Sequence, residues 1–262
     1  MKTPDSLFSC RGKVAIVSGG AGLYGFAISE ALAAAGASVV VASRSDRQLA
    51  EKIARREHPL PLHHRTLDLM SEASIADLFR SVRSEFGRVD IVVNNALTPV
   101  GRTLESTPTE AWTRSMQGNI LSLFLMCRQA AAAMIEQGQG GSIINISSIY
   151  GVVAPDFATY TETGSAPNPV DYGFIKGGML MFTRTLASYL GRHGIRVNSI
   201  VPGGIHDDTD SEAYIKAYAR KVPLGRWAQP EDIQGAILYL ASGASAYVTG
   251  ASLAVDGGYT AL

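Results

Sequence analysis

Short runs of consecutive apolar residues alternate along this chain with longer stretches whose apolar positions recur at helical spacing. The runs at 14–18, 38–43, 62–68, 89–94, 142–147, 196–201 and 253–256 have strand length and predict seven strands. Helical patterns fill the intervals at 26–35, 47–57, 72–86, 110–137, 172–192 and 231–240. Gly36, Gly87 and Gly138 read as helix stops, and Ser71, Thr109 and Gln229-Pro230 as helix starts. Triplets such as Val39-Val40-Val41 and Ile91-Val92-Val93 leave no polar face, which suits a parallel sheet covered on both sides. The prediction is an α/β, doubly wound, seven-stranded parallel sheet of the Rossmann type with helices on both faces, as a single domain over 1–262. In such a sheet the ligand crevice lies beyond the carboxyl ends of the strands.

Composition narrows the class. With 46% hydrophobic residues the chain can bury a large core, and 23 basic against 23 acidic residues leave no net field to attract nucleic acid or an anionic membrane. Cys10 and Cys127 stand in unrelated contexts and read as core residues rather than a disulfide or metal pair. The N-terminus lacks the apolar segment of a secretion signal, and the longest apolar stretch, around 120–127, is short for a bilayer. A cytoplasmic protein is expected. No metal site is expected either: His206, Asp207, Asp208 and Asp210 share one loop without partner spacing, and His63-His64 alternate on a strand and point apart.

Candidate chemistry begins after the first strand, in Ser18-Gly19-Gly20-Ala21-Gly22-Leu23-Tyr24-Gly25. Glycines between a first strand and a helix let backbone approach a pyrophosphate, which then sits at the helix N-terminus. The second strand ends in Ala42-Ser43-Arg44-Ser45, with no carboxylate to accept from a ribose 2′-hydroxyl. Ser43 and Arg44 instead suit a 2′-phosphate, so NADP(H) is preferred, with NAD(H) possible. Further on, Tyr172 and Lys176 are spaced i,i+4 and share a helix face. A phenol near pKa 10 must fall by roughly 3 units, about 4 kcal/mol, to exchange protons at neutral pH. A neighbouring ammonium supplies a field of that sign and order.

Taken in order, these residues resemble the short-chain dehydrogenase/reductase superfamily, in its compact single-domain branch. The glycine loop, Asp68, Asn94-Asn95-Ala96, Ser148, Tyr172 with Lys176, Pro202-Gly203, Tyr247-Val248-Thr249-Gly250 and Val255-Asp256-Gly257-Gly258 carry the resemblance over nearly the whole chain. It implies that Tyr172 is the catalytic acid/base, that Lys176 holds the nicotinamide ribose and lowers the tyrosine pKa, and that Ser148 binds the substrate carbonyl. Ser148 is taken over Ser147 because the family's catalytic serine is the second of the pair. Asn119 would position a relay water. The cofactor would meet Ser18, Gly19, Gly22, Leu23, Tyr24 and Gly25, then Asp68 and Leu69 at the adenine, Asn95 and Ala96 along the cleft, and Pro202, Gly203 and Ile205. Members commonly form homotetramers or homodimers through the helices at 110–137 and 172–192.

Departures from the family pattern mark where this chain is particular. Leu23 stands where the compact branch carries glycine, and Leu97 follows Asn-Asn-Ala where glycine is usual. Between Ser148 and Tyr172 lie 23 residues, more than the family has, and their prolines and short polar residues predict a loop over about 152–170. That loop either narrows the substrate pocket, with Tyr160, Thr161 or Glu162 making polar contacts, or packs on a neighbouring subunit. A lid is expected over about 203–222, with a short helix from 211 to 221. The expected activity is interconversion of a secondary alcohol and a ketone, with polar, sugar- or polyol-like substrates. Reduction of a 3-oxoacyl thioester is the alternative, and a non-catalytic cofactor-binding protein the third reading.

Overall fold

In the computed structural model, which describes residues 3–54, 60–98, 103–205 and 210–261, seven parallel strands form one sheet in the order β3-β2-β1-β4-β5-β6-β7. They are β1 Val14–Ser18, β2 Ser38–Ser43, β3 Leu62–Thr66, β4 Ile91–Asn94, β5 Gly141–Ile146, β6 Ile195–Pro202 and β7 Ser252–Val255. The α-helices are α1 Pro4–Phe8, α2 Leu23–Ala34, α3 Arg47–Ile53, α4 Glu72–Phe86, α5 Thr109–Ser115, α6 Ser122–Gln137, α7 Phe157–Thr163, α8 Val170–Leu190, α9 Glu212–Ala219 and α10 Gln234–Ala241. The doubly wound sheet is the predicted one. Alternate residues of β1 feed opposite cores: Val14 and Ile16 pack with α4, α6 and α8, while Ala15 and Val17 pack with α2 and α10. Burial on both faces is why the strands read as unbroken apolar runs. Cys10 and Cys127 are buried free thiols, and burial pushes the Cys127 thiol up to about 12.

Several boundaries move, each for a local reason. Helix α2 starts at Leu23, ahead of the periodicity at Phe26, because the glycine loop runs straight into it. The helix expected over 231–240 splits into a 3-10 turn, Pro230–Ile233, and α10, the turn closed by reciprocal bonds between Gln229 and Asp232. The helix expected over 110–137 is continuous from Thr109 to Gln137, but its middle, Met116–Leu121, is π-helical. At 29 residues it is longer than the apolar stretch read from the sequence and, by length and composition only, apolar enough to cross a membrane. Its Leu123, Met126, Ala130 and Met134 are nevertheless buried against the sheet.

The largest correction concerns the segment before Tyr172. Instead of a loop throughout, it contains α7, capped by Asp156, whose carboxylate accepts from the Ala158 N–H at 3.0 Å, and closed by Gly164 at φ +65°. Helix α9, inside the expected lid, starts at the Ser211 cap. The expected loop cluster of His206, Asp207 and Asp208 lies outside the described residues.

Candidate active site

The strand order reverses between β1 and β4, and the crevice opens there. Ser18 ties the two strand ends together: its hydroxyl donates to the Val93 carbonyl at 3.3 Å and accepts from the N–H groups of Asn95 and Ala96 at 3.1 and 3.2 Å. Asn95 answers with its amide, donating to the carbonyls of Ser18 and Gly19 at 3.2 and 3.1 Å. Gly19 has φ +64°, and a Cβ on Gly25 would collide with the Gly19 carbonyl oxygen, so both glycines are needed for the loop to fold onto α2. Gly22 caps α2 without a side chain, which leaves the first N–H groups at the positive end of a 12-residue helix. That is the cradle a pyrophosphate requires.

Leu23 is half exposed beside this cradle, and Tyr24 donates from its hydroxyl to the Gly203 carbonyl at 2.9 Å, joining the loop to the end of β6. Gly203 in turn donates to the Val255 carbonyl at 2.9 Å, and Pro202, Gly203 and Ile205 line the cavity. At the far end of the crevice Arg44 is exposed. The Ser43 hydroxyl turns inward, donating to the Ser45 carbonyl at 2.7 Å and meeting His64 Nε2 at 3.1 Å. His63 points elsewhere, with its ring edge-on to Phe86. Asp68 accepts from the Met70 N–H at 2.9 Å, and Leu69 is half-buried against the core.

Beyond the cradle, a cavity of about 400 Å³ brings Asn95, Ser148, Tyr172 and Lys176 together. Ser147 and Ser148 are both buried, but their hydroxyls diverge. That of Ser147 donates to the Lys176 carbonyl at 2.8 Å, while that of Ser148 accepts from the Tyr150 N–H at 3.1 Å, and Ser148 lines the cavity with Tyr172. Lys176 is 4% exposed, donates to the Ile146 carbonyl at 2.7 Å and lies 5.8 Å from the Tyr172 ring centroid. Burial alone lowers its pKa to about 8. Burial pushes the Tyr172 phenol up from its ordinary value, the Ser148 bond opposes this, and the field of Tyr160 adds to the rise. Lys176 is not among the groups that move the phenol here, and its ammonium is engaged by the Ile146 carbonyl.

Asn119 sits in the π-helical turn, and its amide explains the turn. Nδ2 donates to the Ser115 carbonyl at 2.9 Å and to the Ser115 hydroxyl at 3.2 Å. The same amide clamps the segment that follows β4, Nδ2 donating to the Thr98 carbonyl at 2.9 Å and Oδ1 accepting from the Thr98 N–H at 2.8 Å. The Ser115 hydroxyl donates to Asp171, a buried carboxylate one residue before Tyr172 whose Oδ1 has no partner among the described residues. A chain of hydrogen bonds thus links the π turn to the first turn of α8. Neither Ser115 nor Asp171 carried a signal in the sequence, because their pairing joins residues 56 positions apart.

The other wall of the cavity was only partly foreseen. Tyr160 is buried and stacks on Tyr214 of α9, with ring centroids 5.4 Å apart, whereas Thr161 and Glu162 are exposed on the far side of α7. Tyr150, Asn168, Tyr214, Tyr218 and Trp227 complete the wall. Tyr214 and Tyr218 are spaced i,i+4 on α9, the one local pattern that marks them for a shared face. Leu97 also lines this cavity, where the resemblance expects glycine.

Comparison with known proteins agrees with this geometry. The profile of the family described as Enoyl-(Acyl carrier protein) reductase matches residues 22–260. A 2,5-dichloro-2,5-cyclohexadiene-1,4-diol dehydrogenase from Sphingobium indicum is 34% identical over 258 residues, covering 96% of this chain and 98% of that protein. A D-threitol dehydrogenase from Mycolicibacterium smegmatis is 33% identical over 262 residues, covering 98% of this chain and 96% of its own. Among solved structures, a gluconate 5-dehydrogenase from Burkholderia cenocepacia in complex with NADP and tartrate aligns with a TM-score of 0.88 at 28% identity, over 99% of this chain and 100% of that one. A Rossmann-type sheet with a glycine cradle at its switch point defines a dinucleotide-binding protein. The chain belongs to the short-chain dehydrogenase/reductase family, whose members are nicotinamide-dependent oxidoreductases.

Proposed function

We propose that the protein interconverts a secondary alcohol and a ketone, with Tyr172 as the proton donor and acceptor and polar, polyol- or sugar-like substrates preferred. The observation that carries this reading is that Ser148, Tyr172 and Lys176 line one cavity of about 400 Å³ at the strand ends, with Lys176 buried. A ketone gaining hydride develops negative charge on oxygen, and two hydroxyls converging on one point stabilise it while the phenol delivers its proton. The bound nicotinamide supplies or accepts the hydride. Gly19, Gly22, Leu23, Tyr24 and Gly25 would hold its pyrophosphate, Asn95 and Ala96 the cleft, Asp68 and Leu69 the adenine, Pro202, Gly203 and Ile205 the opposite rim, and Lys176 the ribose. The relatives' names, a diol and a polyol dehydrogenase, favour alcohols over acyl thioesters. The test is cofactor-coupled turnover of secondary alcohols against acetoacetyl thioesters. Exclusive turnover of thioesters would move the assignment to the reductase suggested by the family description.

For the cofactor we favour NADP(H). Arg44 is exposed at the end of β2, where the 2′-position of an adenosine ribose would lie, and no Asp or Glu adjoins it in Ser43-Arg44-Ser45. Replacing Arg44 with Ala is expected to weaken NADP(H) affinity about tenfold or more, on the scale of a charge-assisted bond to phosphate, and to leave NAD(H) nearly unaffected. Isothermal titration with both cofactors checks this, and an unchanged NADP preference would overturn it.

The same reading gives one catalytic domain that works as a homotetramer or homodimer, in the cytoplasm, where its two buried thiols stay reduced. Support for assembly comes from an apolar stripe along α8, where Phe174, Met181 and Tyr189 are 59%, 61% and 63% exposed, beside Leu121 and Phe124 at 46% and 44%. Light scattering is expected to give at least twice the 27.8 kDa of one chain, and a monomer would refute assembly.

A further inference from the structure

The cavity wall facing Tyr172 is unusual in what it contains and in what it lacks. Tyr150 stands next to Tyr172, ring centroids 6.4 Å apart and edge to face. Its hydroxyl accepts from Tyr160 at 3.4 Å, and Tyr160 accepts from the Asn168 amide at 2.9 Å. Tyr214 joins the same group by stacking on Tyr160, ring centroids 5.4 Å apart. Tyr160 and Asn168 come from the segment inserted before Tyr172, and Tyr214 from α9. These two elements are fastened together outside the cavity by the Lys221–Asp156 ion pair and by the Ser165 and Ser211 hydroxyls at 3.4 Å. Three phenols and a carboxamide therefore meet as a held unit beside the proposed reacting centre. Phenols sharing hydrogen bonds keep further donor and acceptor capacity, since each oxygen has one proton and two lone pairs.

Charge is what the wall lacks. Among the described residues, Lys176 and Asp210 are the only Lys, Arg, Asp or Glu lining the cavity, and the Lys176 ammonium is engaged by the Ile146 carbonyl. Among the described residues, the one cation that a carboxylate or phosphate on the substrate would meet there is Lys176, and it would also face Asp210. Recognition of such anions normally uses Arg or Lys in bidentate or charge-assisted bonds.

We propose that this wall reads a second hydroxyl on an uncharged substrate, so that the enzyme acts on neutral vicinal diols and polyols, with Tyr150 and Asn168 as the specificity-determining contacts. The inference rests on the reading that Tyr172 works on a secondary alcohol. Tyr160 is a positioning residue behind those contacts, held by Tyr214, which lines the cavity beside them. A site built to hydrogen-bond a hydroxyl discriminates strongly against an analogue without it, because buried polar groups are then left unpaired. The partial pairing of these phenols with one another reduces that discrimination.

The test uses substrates matched in skeleton: cyclohexanol against 1,2-cyclohexanediol, 2-butanol against 2,3-butanediol, and threitol against its carboxylated counterpart threonate. Wild-type kcat/KM is expected to favour each diol over its mono-alcohol by about tenfold to a hundredfold, and threitol over threonate by at least as much. Tyr150→Phe and Asn168→Ala are each expected to collapse the diol to mono-alcohol ratio toward one. The Asn168 variant serves if the buried Tyr150 variant does not fold. Equal wild-type turnover of diols and mono-alcohols, or variants that keep the wild-type ratio, would overturn the assignment while leaving a secondary-alcohol enzyme intact. Preferred turnover of threonate would overturn the uncharged class. Absence of turnover on every alcohol would overturn both this inference and the reading beneath it.

Discussion

Replacing Tyr172 with Phe is expected to lower kcat by about 10²- to 10⁴-fold, the range supplied by a positioned general acid or base, while KM and the folded state change little. The phenol is half-buried, and its ring keeps its edge-to-face contact with Tyr150 in the variant. The Ser148 hydroxyl keeps the Tyr150 N–H as a partner. What disappears is the proton and one of two hydrogen bonds to the developing alkoxide, so the loss falls on the chemical step. Because burial holds the phenol above its ordinary value of 10.0, it is protonated at neutral pH and ready to donate in ketone reduction. Alcohol oxidation needs the deprotonated form, so the oxidation rate is expected to climb with pH through the alkaline range, while reduction falls only once the phenol ionises. Initial rates in both directions, from pH 6 to 10, check the pair of statements. A variant keeping more than about a tenth of wild-type kcat would remove Tyr172 from the chemistry.

The elements nearest the sheet were the legible ones. Strands β1, β2 and β4 are buried on both faces and announce themselves as apolar runs, and the glycine loop announces the crevice because only glycine tolerates the φ of Gly19 and the crowding at Gly25. Tyr172 and Lys176 were paired by their i,i+4 spacing, and Ser148 was named through the family resemblance; the structure brings the three to one cavity. Helix α7 was not, since its seven residues, Phe-Ala-Thr-Tyr-Thr-Glu-Thr, are rich in β-branched and aromatic side chains with weak helix propensity and sit between prolines. Tertiary contacts hold it instead: Tyr160 against Tyr214, and Lys221 on its capping Asp156. Of the phenol wall only Tyr160 was named, for a related reason: Tyr150, Tyr160 and Tyr214 belong to three separate elements and meet only in the fold. The rise of the Tyr172 phenol was not legible, because it depends on burial, which an i,i+4 spacing does not contain.

Replacing Lys176 with Met is expected to make the protein more stable and nearly inactive at once. Unfolded, the lysine keeps its proton up to its ordinary 10.5, whereas burial lowers the folded value to about 8. Between these values the unfolded chain binds more protons, so wild-type stability rises with pH through that window. The contribution is fully present above 10.5 and is lost as pH falls through about 8, a difference of about 3 kcal/mol at 1.36 kcal/mol per unit. At pH 7 the wild type therefore carries a buried ammonium in the native state, offset in part by the 2.7 Å bond to Ile146, a bond worth about 1 kcal/mol. Methionine has a similar length, no charge and no such bond, so the variant should gain about 2 kcal/mol at pH 7 and little at pH 10. Tyrosines that titrate near the upper limit are common to both proteins and cancel in the difference. Urea unfolding of both proteins at pH 7 and pH 10 measures it, and a stability difference that does not depend on pH would mean that Lys176 titrates normally. Turnover should fall at least about a hundredfold in the same variant, because the side chain beside Tyr172 no longer carries a proton or a donor. A gain in stability together with a loss of turnover in this variant would mark Lys176 as kept for the reaction rather than for the fold.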